Sequence, residues 1–135
     1  MSWIFDTNST IYSLIRGKTI SELQALYPDV FYTNNNENNA PTRFPSIYIY
    51  PIGMMEDNED METSEINSAI FTQEVKINFN AEYEIDDCFK VSDIITQAFK
   101  ELHFSIVRIT TPYSNGGLLN VSLRFRRTIA QGDEI

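Results

Sequence analysis

The chain has 135 residues, 42% of them apolar, and a formal net charge of −9. That length suits one domain around one core, and no apolar run approaches the roughly 18 residues that a membrane-crossing helix requires. So acidic a chain is ill suited to gripping nucleic acid, whose binding rests on Lys and Arg displacing counterions from phosphate.

Ile4, Ile11, Tyr12, Leu14 and Ile15 recur near helical spacings, with Asp6, Asn8 or Ser9 as candidate N-caps. Gly17 is expected to end this helix. Thr19-Ile20-Ser21-Glu22 has the capping-box pattern and predicts a second short helix, stopped by Pro28. Asp29–Thr33 is aromatic and β-branched and reads as a short strand. The Asn-rich stretch that follows has no apolar periodicity and reads as a solvated loop over 34–42.

Phe44–Pro51 predicts a second strand, with the prolines marking its ends because they cannot donate to a ladder. Ile47 and Ile49 share one face of it, and Tyr48 and Tyr50 the other. Both faces being large implies that the tyrosine side is covered too, by this chain or by a neighbouring subunit. A flexible loop is expected over 53–66, where six acids fall within ten residues: Glu56, Asp57, Glu59, Asp60, Glu62 and Glu65. Like charges about 7 Å apart in water repel by about 0.6 kcal/mol before screening, which favours an extended loop.

Over Phe71–Ala81, Val75, Ile77, Phe79 and Ala81 alternate with Glu74, Lys76, Asn78 and Asn80, the period of a strand with one buried face. Val91, Ile94, Ile95, Ala98, Phe99 and Leu102 then form a helical stripe behind Asp86 or Asp87 as N-cap. Phe104–Thr110 predicts a fourth strand and Pro112–Gly117 a hairpin connection. In the last strand Leu119, Val121, Leu123 and Phe125 face inward and Asn120, Ser122, Arg124 and Arg126 outward. A C-terminal tail over 129–135 follows, of which Gln131–Ile135 is expected to fray. The fold class expected is therefore α+β: one domain over 1–135, a mostly antiparallel sheet of about five strands with helices packed on one face.

Little in this order of residues points to catalysis. His103 is the only histidine and sits at a helix end, where the dipole favours it. The single cysteine, Cys88, excludes an internal disulfide and a cysteine-based zinc site within one chain, and reads as a buried, inert thiol. Glycine-rich phosphate loops and nucleophile elbows are absent from the sequence. The acidic stretch 56–65 lacks the glycine and ligand spacing of an EF-hand loop and reads as a solvated segment, or as one that faces a basic partner. An enzyme would have to use Asp86 and Asp87, or this stretch, as acid and base, and no substrate suggests itself. A non-enzyme with no cofactor and no metal is expected.

Charge is unevenly placed: residues 1–43 carry −1, 44–66 carry −6, 67–103 carry −4 and 104–135 carry +2. An acidic middle and a basic end suit a head-to-tail contact between copies. Arg124, Arg126 and Arg127 either pair with acids on neighbouring strands or offer planar donors to a partner's carboxylates. Together with Tyr48 and Tyr50 they are the candidate subunit or partner interface.

The run Phe44-Pro45-Ser46-Ile47-Tyr48-Ile49, the strand Val75–Ala81, the helix Val91–Leu102, then Phe104 and a closing strand with Arg124-Phe125-Arg126 resemble the tail terminator, or tail completion, proteins of long-tailed bacteriophages and phage-tail-like particles. The likeness covers roughly residues 3–128. It implies a structural virion protein whose copies form a ring, six to a ring, that caps the tail tube and ends its polymerisation. The ring would offer the joining surface to the head or collar. Its partners would be itself, the tail tube protein and a head-tail connector or collar protein. DNA would pass through without specific binding, with Glu56, Asp57, Glu59, Asp60, Glu62 and Glu65 lining the passage or facing a partner. Such a protein would assemble in the host bacterial cytoplasm, reside in the virion tail or neck and touch no membrane. A head-tail stopper, a minor tail protein, and a non-viral soluble adaptor or ligand-binding domain are the alternatives.

Overall fold

A computed structural model describes residues 2–34, 43–56 and 68–135. The first helix, α1 (Ser2–Leu26), is continuous and does not stop at Gly17. Its buried residues Ile4, Ile11, Ile15, Thr19 and Leu23 lie at helical spacings on both sides of the glycine. Packing of that one stripe outweighs the about 1 kcal/mol by which glycine disfavours a helix interior. Asp6, Asn8 and Ser9 lie inside the helix and do not cap it. Thr19 is no cap either: its hydroxyl donates to the Ile15 carbonyl at 2.8 Å and lies 2.6 Å from the Tyr32 hydroxyl.

Among the described residues six strands follow in one sheet: β1 (Phe31–Thr33), β2 (Ser46–Glu56), β3 (Ser68–Phe79), β4 (Ser105–Ile109), β5 (Tyr113–Asn115) and β6 (Leu118–Ala130). A second helix, α2 (Ile85–Glu101), separates β3 from β4. The sheet runs β1-β2-β3-β6-β4, with β5 also on β6. Only β1 and β2 pair in parallel. The α+β class with helices on one face is as expected; the sixth strand is β5, formed where the sequence predicts only a turn. α1 packs on α2 and β2, and α2 on β6, β4 and β3.

Several boundaries differ from the sequence reading. β2 runs through Pro51 to Glu56, so residues 53–56, expected in a loop, belong to a strand, and Met54, Met55 and Glu56 pair with β3. β1 ends opposite Tyr48, beyond which β2 has one neighbour only among the described residues, and a residue without an N–H is accommodated there. The register slips between Pro51 and Met54. Ala81 falls in the turn after β3 and is exposed. Gln131 and Gly132 form a turn after β6, closed by Asp133, whose N–H donates to the Ala130 carbonyl at 3.0 Å and whose carboxylate accepts the Ala130 N–H at 2.8 Å. Gln131–Glu134 are exposed, and Ile135 is half-buried against the core.

The core lies between the helices and the sheet's inner face. Ile47, Ile49, Phe71, Val75, Ile77, Phe79, Val121, Leu123 and Phe125 meet Ile95 and Phe99 there, all essentially without solvent contact. Phe99 stacks on Phe125 with centroids 4.2 Å apart and planes 10° from parallel. The N-cap of α2 is Glu84 rather than Asp86 or Asp87; Asp87 acts from inside the helix, accepting the Glu84 N–H at 2.8 Å. It ends at Leu102 with the His103 N–H on the Lys100 carbonyl at 2.9 Å and the Phe104 N–H on the Phe99 carbonyl at 3.0 Å. These two bonds and the Phe99–Phe104 edge contact at 5.2 Å make a Schellman ending, with His103 in the left-handed position at φ 65°.

Candidate functional site: the outward sheet face and its edge

Alternation along β2, β3 and β6 sends every second side chain away from the helices. Cross-strand register then aligns Tyr50, Glu74, Arg124 and Arg108 in one row over four strands, and Tyr48, Lys76 and Ser122 in the next. Glu74 is only 6% exposed although it lies on this outer face. Its neighbours cover it. The Tyr50 hydroxyl donates to Oε2 at 3.1 Å, Arg108 Nη2 to Oε1 at 3.0 Å and Arg124 Nη2 to both oxygens at 3.3 and 3.4 Å.

One carboxylate thus ties β2, β4 and β6 to β3, with two guanidiniums sharing it. Such a cluster is held by charge-assisted bonds and carries a surplus positive charge. Burial, with the Glu74 carboxylate beside it, pushes the Tyr50 phenol up to about 12. Tyr48 stacks on Tyr50 at 4.2 Å, and Lys76 Nζ lies 5.8 Å from the Tyr50 ring centroid. Arg124 Nε is buried with no hydrogen-bond partner. Arg126, two positions on, is exposed on the same face. Among the described residues of this face, Lys76, Arg108, Arg124 and Arg126 oppose Glu74 alone, so the face is basic on a chain of net charge −9.

The sequence groups three arginines, and the structure separates them. Arg124 joins the Glu74 cluster and Arg126 is exposed on the outer face. Arg127 faces the helices and donates to the Leu102 carbonyl at 2.9 Å, where a cation suits the helix C-terminus. Arg127 is therefore not part of the outward surface. Tyr48 and Tyr50 are half-buried on the outer face. Glu56 ends β2, and Asp57, Glu59, Asp60, Glu62 and Glu65 lie outside the described residues.

Sequence reasoning missed Glu74 and Arg108 as a pair. The alternation already put Glu74 on the outer face; only the β3-β6-β4 register brings both arginines to it. It also missed two apolar surfaces. All five residues of β4 are exposed, with Ile106, Val107 and Ile109 at 44–48%, along the free edge of the sheet. On the first two turns of α2, Ile85 and Phe89 are each more than half exposed, one helical turn apart.

Cys88 is buried beneath α2, and burial with the Asp87 charge nearby pushes its thiol up to about 11, the behaviour of an inert core cysteine. His103 is exposed at the helix end. Among the described residues there is no cluster of His, Cys, Asp and Glu fit to hold a metal, and no helix long and apolar enough to cross a membrane. No protein-family model and no curated protein matches the chain.

Proposed function

We propose that this protein is a structural component of the neck of a phage tail or tail-like particle, a tail terminator whose copies form a six-membered ring on the end of the tail tube. The observation that carries the reading is β4, an edge strand with three large apolar side chains in solvent and an arginine row beside it. A free edge of that composition is a liability in a monomer and is ordinarily shielded. In a ring it becomes buried at each subunit boundary. The uneven charge supports a head-to-tail contact, and an acidic passage would let DNA through without holding it.

Electron micrographs of particles assembled without this protein test the proposal. Overlong or uncapped tubes are expected. Tubes of normal length that fail only to acquire heads would instead make the protein a connector.

A further inference from the structure

We infer that β4 docks on the start of α2 of a second copy, a contact between two different surfaces of this chain. The inference rests on the ring reading above and names the surfaces that would build it. One surface is the edge: Ile106, Val107 and Ile109, with Arg108 and Arg126 beside them. The other is the first two turns of α2, where Ile85 and Phe89 project among Glu82, Glu84, Asp86 and Asp93.

The two match in both chemistry and charge. Each presents two or three large apolar side chains whose joint burial supplies the attraction. Residues 82–93 hold five acids against Lys90 alone, whereas the edge strand and its outward neighbours on β6 carry arginines. Edge against edge would set arginine rows facing one another, and helix start against helix start would do the same with carboxylates; like charges brought together in that way oppose association. Edge against helix start pairs opposite signs.

The bulge between Ile106 and Arg108 interrupts the β4 ladder and so disfavours extension of the sheet by another strand. What β4 offers is its side chains, and a helix face can receive them. The two surfaces occupy different elements, with α2 starting where β3 ends and finishing where β4 begins. A contact of this heterologous kind leaves one surface of each type open after every addition, so it continues until rotation closes it.

The test uses two variants of the full chain, Val107→Asp with Arg126→Glu, and Ile85→Ser with Phe89→Ser. All four positions are exposed and none touches the Glu74 cluster. Circular dichroism verifies folding, and the milder Val107→Ser and Phe89→Ser serve if either double variant misfolds; each should weaken association about tenfold or more. Size-exclusion chromatography with light scattering, over a concentration series, reads the mass.

The wild type is expected to assemble beyond a dimer and each variant alone to stay monomeric. A one-to-one mixture of the two should stop at a heterodimer, because each partner contributes its one intact surface. Assembly of the α2 variant as in the wild type, a monomeric mixture, or a wild type that is monomeric throughout would overturn the inference. Those results leave the terminator reading standing if particles lacking the protein still carry overlong tubes, so the two failures are separable.

Discussion

Glu74 of β3 lies directly opposite Arg124 of β6, and their side chains meet at 3.3 Å on the face turned away from the helices. The Glu74 side chain is 8% exposed and the Arg124 side chain 32%. An ion pair this covered is costly to break on one side, because the surviving charge is left without its partner. Arg108, the second guanidinium on the same carboxylate, is 51% exposed and can return to water.

Glu74→Ala is therefore expected to destabilise the protein by about 1–3 kcal/mol, below the range for a fully buried pair because of that exposure. Urea unfolding measures it. Glu74→Leu together with Arg124→Leu should lose less than Glu74→Leu alone, since both charges leave together; a larger loss for the double variant would contradict a mainly electrostatic role.

Gly17 sits in the middle of α1, and a β-carbon placed there would meet no atom within 4 Å. Gly17→Ala should stabilise the protein by about 0.5–1 kcal/mol, by improving helix propensity and narrowing the unfolded ensemble. A higher thermal midpoint is the readout; a lower one would mean that the helix bends or breaks at this residue.

His103 holds a left-handed backbone at the end of α2, a conformation that glycine adopts without strain. His103→Gly is expected to raise stability by up to about 1 kcal/mol, and His103→Val to lower it by a similar amount or more. The order Gly above His above Val in denaturant midpoint checks the ending directly.

Alkaline pH should weaken the fold. Burial first of all raises the Tyr27, Tyr32 and Tyr50 phenols above their ordinary 10.0, Tyr32 and Tyr50 to about 12, and the Cys88 thiol to about 11. A group whose folded pKa exceeds its unfolded one contributes stability that is intact below the unfolded value and lost as pH climbs to the folded one. The urea midpoint should receive no slope from the phenols below about pH 9, then fall steadily between pH 10 and 12. Tyrosinate absorbance rising around pH 10 in a still-folded protein, for these phenols as for free tyrosine, would contradict their burial.

Much of this molecule is legible in residue order because periodicity reports which side faces the core. Val75, Ile77 and Phe79 announce a half-buried strand, and Val91, Ile95, Ala98 and Phe99 a helix lying on it; both are as read. Punctuation residues mislead where packing is stronger. Gly17 costs too little to interrupt a helix whose buried face continues to Leu23, and Pro51 stands where β2 has already lost one neighbour.

The candidate site was only half visible. Tyr48, Tyr50, Arg124 and Arg126 were singled out, whereas Arg127 belongs to the helix side, because adjacent residues of a strand point to opposite faces. Glu74 reads in sequence as one polar position among four, and Arg108 as an arginine in an otherwise apolar run.

Local spacing of apolar and polar residues determined the α+β class, the inner faces of the strands and the apolar stripe of α2, since these depend on contacts that repeat every two or every three to four residues. Which strand became the free edge, which arginines share Glu74, and that Ile106, Val107 and Ile109 stand in solvent were decided by strand order and register. Those are set by pairing between distant segments, such as Glu74 with Arg124, 50 residues apart, and no local period encodes them.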